Sequence, residues 1–172
     1  MIKTRFAFLC TIVLTFLVIP LYAFTDADGF RSINWGTDIS TLSDMRFIRT
    51  DPSYGGIKMY SRKNDELKIG GAILESIKYG FWRDKFSSVW IEIKGFTNFS
   101  ALRNATVERF GPGDKSNSFI ERYFWLGEKT GMILKYCKVF KEGFLFMSLK
   151  EIKEQQRQYE KDIAEKGAEK GF

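Results

Sequence analysis

The chain has 172 residues, 44% hydrophobic, 28% charged and 16% aromatic, with 15 Gly, 3 Pro and a net charge of +6. That composition excludes a disordered or collagen-like chain and suits one globular domain able to bury its own core. It contains no His, which removes Ser-His-Asp and Cys-His nucleophile pairs, histidine metal ligation and a histidine pH switch; no metal or cofactor is expected.

Lys3 and Arg5 precede a stretch without charge, residues 6–25, whose first part (6–19) is apolar apart from two Thr. Pro20 breaks that run, and Leu21-Tyr22-Ala23 places a small residue before Phe24. This order of basic, apolar and small residues predicts a secretory signal over 1–23. The alternative is an uncleaved anchor, since residues 6–25 are long enough to span a bilayer. In either case the basic end stays inside and the rest is exported: periplasmic, secreted, or membrane-anchored and facing outward. Cys10 lacks the small preceding residues of a lipid-bearing Cys. Without Lys3 and Arg5 the net charge is +4, and signs alternate along the chain, which gives nucleic-acid binding no support. Cys137 is then alone in an oxidising compartment, and its apolar surroundings read it as a small buried hydrophobe.

Asp26-Ala27-Asp28-Gly29 opens like a calcium loop, but Arg31 and Thr37 stand where the Gly and Glu ligand positions fall, so a solvated arm is expected. Phe30, Ile33 and Trp35 form an apolar anchor. Gly36 turns the chain, and Ile39, Leu42 and Met45 at three-residue spacing predict a helix over 38–46. A strand follows at 56–62, a turn at Asn64-Asp65, and a second strand from Leu67 that Gly70-Gly71 bends before it continues through Ile77, Tyr79 and Phe81. A three-residue loop, Arg83-Asp84-Lys85, leads into a strand over 86–94. That loop pairs Ile77 with Ile91 and Tyr79 with Val89 on one face, and Lys78 with Trp90 on the other.

Residues 97–110 read as a helix capped by Thr97 or Asn98, lined by Phe99, Leu102, Thr106 and Phe110, and stopped by Gly111-Pro112-Gly113. Gly113-Asp114-Lys115-Ser116 does not fit a phosphate loop, because Glu108 replaces the earlier Gly. Strands are predicted at 119–126, 132–140 and 144–149, with turns at 127–131 and 141–143. A thin surface helix follows at 151–166, carrying Ile152, Tyr159 and Ile163. Even positions of the last hairpin (Leu134, Tyr136, Phe144, Phe146) are expected inward. Val139, Leu145, Met147 and Leu149 make its other face apolar too, so this hairpin should be central and covered on both sides.

Two stretches look alike: residues 78–94 and 135–150 each run Lys-Tyr, strand, charged turn, strand, Lys. The expected fold is α+β: two αβββ units, 30–95 and 96–150, sharing one core within a domain spanning 24–150. A C-terminal helix and frayed tail (151–172) follow. The start Phe30-Arg-Ser-Ile33-Asn-Trp35-Gly-Thr37, with Leu67-Lys-Ile-Gly-Gly71 and the Tyr79-to-Trp90 hairpin, resembles small exported bacterial proteins that begin with an FRxIxWGT-type segment. That resemblance implies no activity. A leader followed by tandem αβββ halves is similar in architecture to the β-lactamase-inhibitor-protein and BamE-type folds, which implies a binding module. This chain lacks the lipid-bearing Cys of the BamE-type proteins.

The function expected is a non-enzymatic binding or accessory protein of the envelope. Its predicted surface is an aromatic–basic strip on the even face of the first sheet: Lys58, Tyr60, Arg62, Lys78, Trp90 and Lys94, with Trp82 near its end. Such a strip suits a protein, a glycan or an anionic envelope surface. The alternative is a hydrolase acting on an envelope polymer through two carboxylates, drawn from Glu75, Glu92, Glu108 and Glu121, and Glu75 is expected on the apolar face.

Overall fold

The structure is a computed structural model that describes residues 26–171; the predicted leader over 1–23 lies outside the described residues. The chain forms β1 (Gly29–Phe30), β2 (Ile33–Asn34), β3 (Met45–Asp51), β4 (Ile57–Arg62), β5 (Lys68–Ile69), β6 (Ala72–Ile73), β7 (Ser76–Trp82) and β8 (Lys85–Lys94). Then come α1 (Phe96–Phe110), β9 (Arg122–Leu126), β10 (Thr130–Cys137), β11 (Glu142–Leu149) and α2 (Lys150–Gly171). Seven strands build one antiparallel sheet in the order β3-β4-β7-β8-β11-β10-β9, and β1-β2 and β5-β6 are small separate ladders. The fold is α+β, with β8 and β11 paired at the sheet centre.

Alternation along the strands makes the two faces unlike. Tyr79, Val89, Ile91, Ile93, Leu145, Met147, Met132 and Leu134 share one face, and all are buried. Helix α1 lies against it through Phe99 and Leu102, both with no exposed surface. Full burial of each such side chain is worth roughly 1.5–3 kcal/mol. The expected Thr97 or Asn98 cap is not used: Gly95 holds the cap position, and Asn98 instead ties Lys94 O to Ile73 N–H. Gly111, at φ 84°, ends the helix in a conformation that costs a residue with Cβ.

The register of β7 with β8 is the expected one, Ile77 with Ile91 and Tyr79 with Val89, but the turn is not. Arg83 and Asp84 form a two-residue turn, both at positive φ, which pairs Phe81 with Phe86. Such a turn joins odd to even positions. A bulge at Ser87, whose Oγ donates to Gly80 O, then restores the odd-with-odd pairing. Ser87 is the extra residue.

Elsewhere local patterning is overruled. The helix expected over 38–46 shrinks to one 3-10 turn, Ile39–Thr41, begun by the Asp38 carboxylate accepting from Ser40 N–H. Residues from Met45 onward form β3 instead, where Phe47, Ile48 and Thr50 suit a sheet edge better than a helix. The strand expected from Leu67 doubles back at Gly70-Gly71 as β5-β6, so β4 pairs directly with β7. The last hairpin turns at 138–141, earlier than expected, and puts Val139 and Phe140 in the turn. Leu134 and Tyr136 face inward as expected; Phe144 and Phe146 do not, because Lys135 pairs with Phe144, an odd position with an even one. The N-terminal arm is not free either. The Asp26 carboxylate accepts from the N–H groups of Lys129 and Thr130, and Ala27 is buried.

The second face of the sheet is covered at one end only. Gly80, Ser88 and Ser148 stand side by side in register, and this row of small residues lets the first turns of α2 come close. Ile152 and Gln156 are buried there. Farther on, α2 leaves the body, and Ile163 is 52% exposed.

Candidate functional site

The part of the second face that α2 leaves open carries bulky and charged side chains. Trp90 lies in register between Lys78 and Phe146, and Glu92 between Ser76 and Phe144. The Trp90 ring stacks on Phe144, centroids 4.3 Å apart and 19° between planes, and tilts against Phe146 at 5.4 Å. Around this pair runs a groove of about 510 Å³, bounded by Lys94, Lys135, Glu142, Cys137 and Phe140. Planar aromatic surface beside ammonium groups is the chemistry of interface anchors and of ligands with flat or anionic parts.

One ion pair fixes the floor of this site. Lys78 Nζ donates to Glu92 Oε1 at 2.7 Å, and Ser76 Oγ donates to Oε2. Burial pushes the Glu92 carboxyl up, but the hydrogen bonds from Lys78 and Ser76, the Lys78 charge and Trp90 outweigh it and hold the group below its ordinary value. Glu92 is therefore ionised at neutral pH. Lys94 and Lys135 have no ion-pair partner among the described residues.

The predicted strip is divided between the two faces. Tyr60 pairs with Tyr79 and Lys58 with Phe81, so the even positions of β4 face the helix side, whereas Lys78, Trp90 and Lys94 face the groove. Tyr60 packs edge-on against Phe81, Lys58 pairs with Asp84, and Arg62 pairs with Asp44. Trp82 is on the groove side but only 3% exposed: its indole N–H donates to Tyr54 O, and Arg83 covers its ring. Lys78, Trp90 and Lys94 thus share a surface; Lys58, Tyr60, Arg62 and Trp82 do not belong to it.

Lys135 and Phe144 complete the groove, and Phe146 lies beside Trp90 toward α2, whose Lys153 stands over its ring. Alternation groups Phe144 with Phe146, but the pairing of Lys135 with Phe144 decides their face. The four candidate carboxylates divide two and two, one pair sharing the groove. Glu75 and Glu92 line the groove, and Glu75 is exposed, not on the apolar face. Glu108 lies on the outer side of α1, and Glu121 pairs with Lys115. Among the described residues no three His, Cys, Asp or Glu side chains gather as metal ligands, and no helix is long and apolar enough to cross a membrane.

A second hollow, about 740 Å³, lies between the N-terminal arm, the Asp65–Ile69 region and α1. A polar network forms its wall. Arg31 pairs with one oxygen of Asp65, Tyr79 donates to the other at 2.7 Å, and Arg62 donates to Arg31 O at 3.0 Å. Every member has a partner within the fold, so this wall serves to hold the arm on the sheet.

Comparison with protein-family models, with curated proteins and with solved structures finds no match for this chain.

Proposed function

We propose that this protein is an exported, non-enzymatic binding or accessory protein of the envelope that holds its ligand along the open groove. The observation that supports it is the Trp90–Phe144 stack, flanked by Lys94 and Lys135, which α2 approaches only at Trp90 through Lys153 and Gln156. Export rests on the basic and apolar order of residues 1–23. The tandem reading belongs to this proposal too. The similar hairpins β7-β8 and β10-β11 end in strands that pair at the sheet centre, although the first half opens with a 3-10 turn in place of a helix.

Glu92 is a poor general acid, being ionised and bound to Lys78, which weighs against the carboxylate hydrolase. Pull-down from the exported fraction tests the binding reading. The Trp90→Ala, Lys135→Ala double variant should lose partners that the unaltered protein retains, with its thermal melt still cooperative. Unchanged partners would remove the groove from consideration.

A further inference from the structure

At the end of the sheet away from α2's first turns, five large apolar side chains reach into solvent: Phe119 (88% exposed), Val139 (83%), Phe140 (71%), Phe96 (50%) and Ile120 (42%). They come from three segments that hydrogen bonds hold at one end of the fold. Gly95 N–H donates to Lys141 O at 2.8 Å, joining the start of α1 to the β10-β11 turn. Tyr136 N–H donates to Glu121 O at 2.9 Å, joining the 117–120 turn to the same end of β10. The β10-β11 turn itself reads Lys138-Val139-Phe140-Lys141, two apolar residues at the apex with a lysine on each side. Lys94, Lys138 and Lys141 have no ion-pair partner among the described residues. The acids nearby are fewer: Glu121 is paired with Lys115, which leaves Glu142 and Glu75.

We propose that this tip inserts into the interface of an anionic phospholipid bilayer. Phe140, Val139 and Phe119 would enter the acyl boundary, with Lys94, Lys138 and Lys141 at the headgroups. Apolar side chains as exposed as Phe119, Val139 and Phe140 bury little against a flat protein surface, whereas a bilayer closes around them. Lysines with long apolar stems reach the headgroups from the flanks. Charge complementarity selects anionic lipid, since each lysine near such a surface contributes about fivefold in affinity. The tip is also separable from the leader. Asp26 is held at the Thr130 end of β10, roughly 25 Å along the strand from Cys137. The inference goes beyond the groove reading: the tip shares only the rim residues Phe140 and Lys94 with the groove, does not use the Trp90–Phe144 stack, and takes a lipid surface.

The test uses the full chain with Val139→Cys in a Cys10→Ser, Cys137→Ser background, labelled at position 139 with an environment-sensitive fluorophore. It is mixed with vesicles of phosphatidylglycerol and phosphatidylcholine, or of phosphatidylcholine alone, each carrying brominated acyl chains. The expected result is a blue shift and bromine quenching on the anionic vesicles. Phe140→Ser with Phe119→Ser should weaken that signal at least tenfold, and Lys138→Ala or Lys141→Ala about fivefold each. These residues are exposed, so the variants keep the parent's melting behaviour.

A label that stays in water while the chain sediments with vesicles means attachment through residues 6–25 alone and overturns the proposal. Equal quenching on neutral vesicles overturns it too, and so does a label shielded only by a protein of the exported fraction. Trp90→Ala must leave the quenching intact. Loss of quenching with Trp90-dependent partner capture retained would sink the tip and spare the groove.

Discussion

The hydroxyl of Tyr79, a side chain with no exposed surface, donates to Asp65 Oδ2 at 2.7 Å, and the other Asp65 oxygen is paired with Arg31. A core aromatic of β7 is thereby linked to the β1-β2 arm through one carboxylate. Tyr79→Phe removes a single donor and keeps the ring, while Arg31 still satisfies Asp65. The expected loss is about 1–2 kcal/mol by urea unfolding at neutral pH. A loss well below 0.5 kcal/mol would show that solvent replaces the bond.

The same residue shapes the alkaline limb of stability. Burial, and then the Asp65 carboxylate, hold the Tyr79 hydroxyl above its ordinary range. In the unfolded chain the phenol ionises near pH 10. Its contribution is full below that pH and declines as pH rises above it, because only the unfolded state can release the proton. Stability plotted from pH 8 to 11 should fall more steeply for the parent than for Tyr79→Phe; parallel curves would contradict the linkage.

Glu92 acts at the opposite end of the pH range. Its carboxyl is held below the ordinary value of 4.5. The stabilisation is therefore present above that value and lost as pH falls through the lower folded value. Glu92→Gln should be less stable than the parent at neutral pH, and the two should converge under acid. Asp38, lowered to about 2 by hydrogen bonds from Ser40 and by Lys85, behaves likewise and can be removed separately as Asp38→Asn.

Helix α1 and the distal part of α2 should respond very differently to truncation. Phe99 is fully buried and stacks on Tyr136 at 5.0 Å, so Phe99→Ala should cost about 3–5 kcal/mol. Ile163 lies on the free part of α2, and Ile163→Ala should stay within about 0.5 kcal/mol of the parent. A large effect at Ile163 in denaturant melts would mean that α2 docks in solution where the structure leaves it exposed.

The Arg31-Ser32 turn between β1 and β2 places both residues at positive φ, 47° and 66°. A residue with Cβ is disfavoured there by roughly 1–2 kcal/mol, and the greater freedom of unfolded Gly offsets part of the gain. Ser32→Gly should raise stability by up to about 1 kcal/mol, and Ser32→Val should lower it. Calorimetry of the pair checks the sign.

Alternation made much of this architecture legible. Ile77, Tyr79, Val89 and Ile91 define one buried face in the sequence and in the structure. The last hairpin, expected to be central and covered on both sides, places β11 beside the central strand but β10 next to the edge, with its second face partly open. Periodicity failed at Ile39, Leu42 and Met45, where three apolar residues at helical spacing were too few to extend one 3-10 turn against the β-forming segment that follows. For the groove, Lys78, Trp90 and Lys94 were visible because they alternate within one hairpin. Lys58, Tyr60 and Arg62 were misplaced because they lie on another strand.

Local sequence determined which residues of each strand travel together: the pleat has a period of two, so alternate side chains share a face wherever the strand goes. Only the tertiary structure decided which sets meet. When β5-β6 folds back on itself, β4 pairs with β7 in a register joining Tyr60 to Tyr79, even to odd. One step of register exchanges the faces of a whole strand. That step arises from long-range pairing, and it moved Lys58, Tyr60 and Arg62 of the predicted strip to the far side of the sheet.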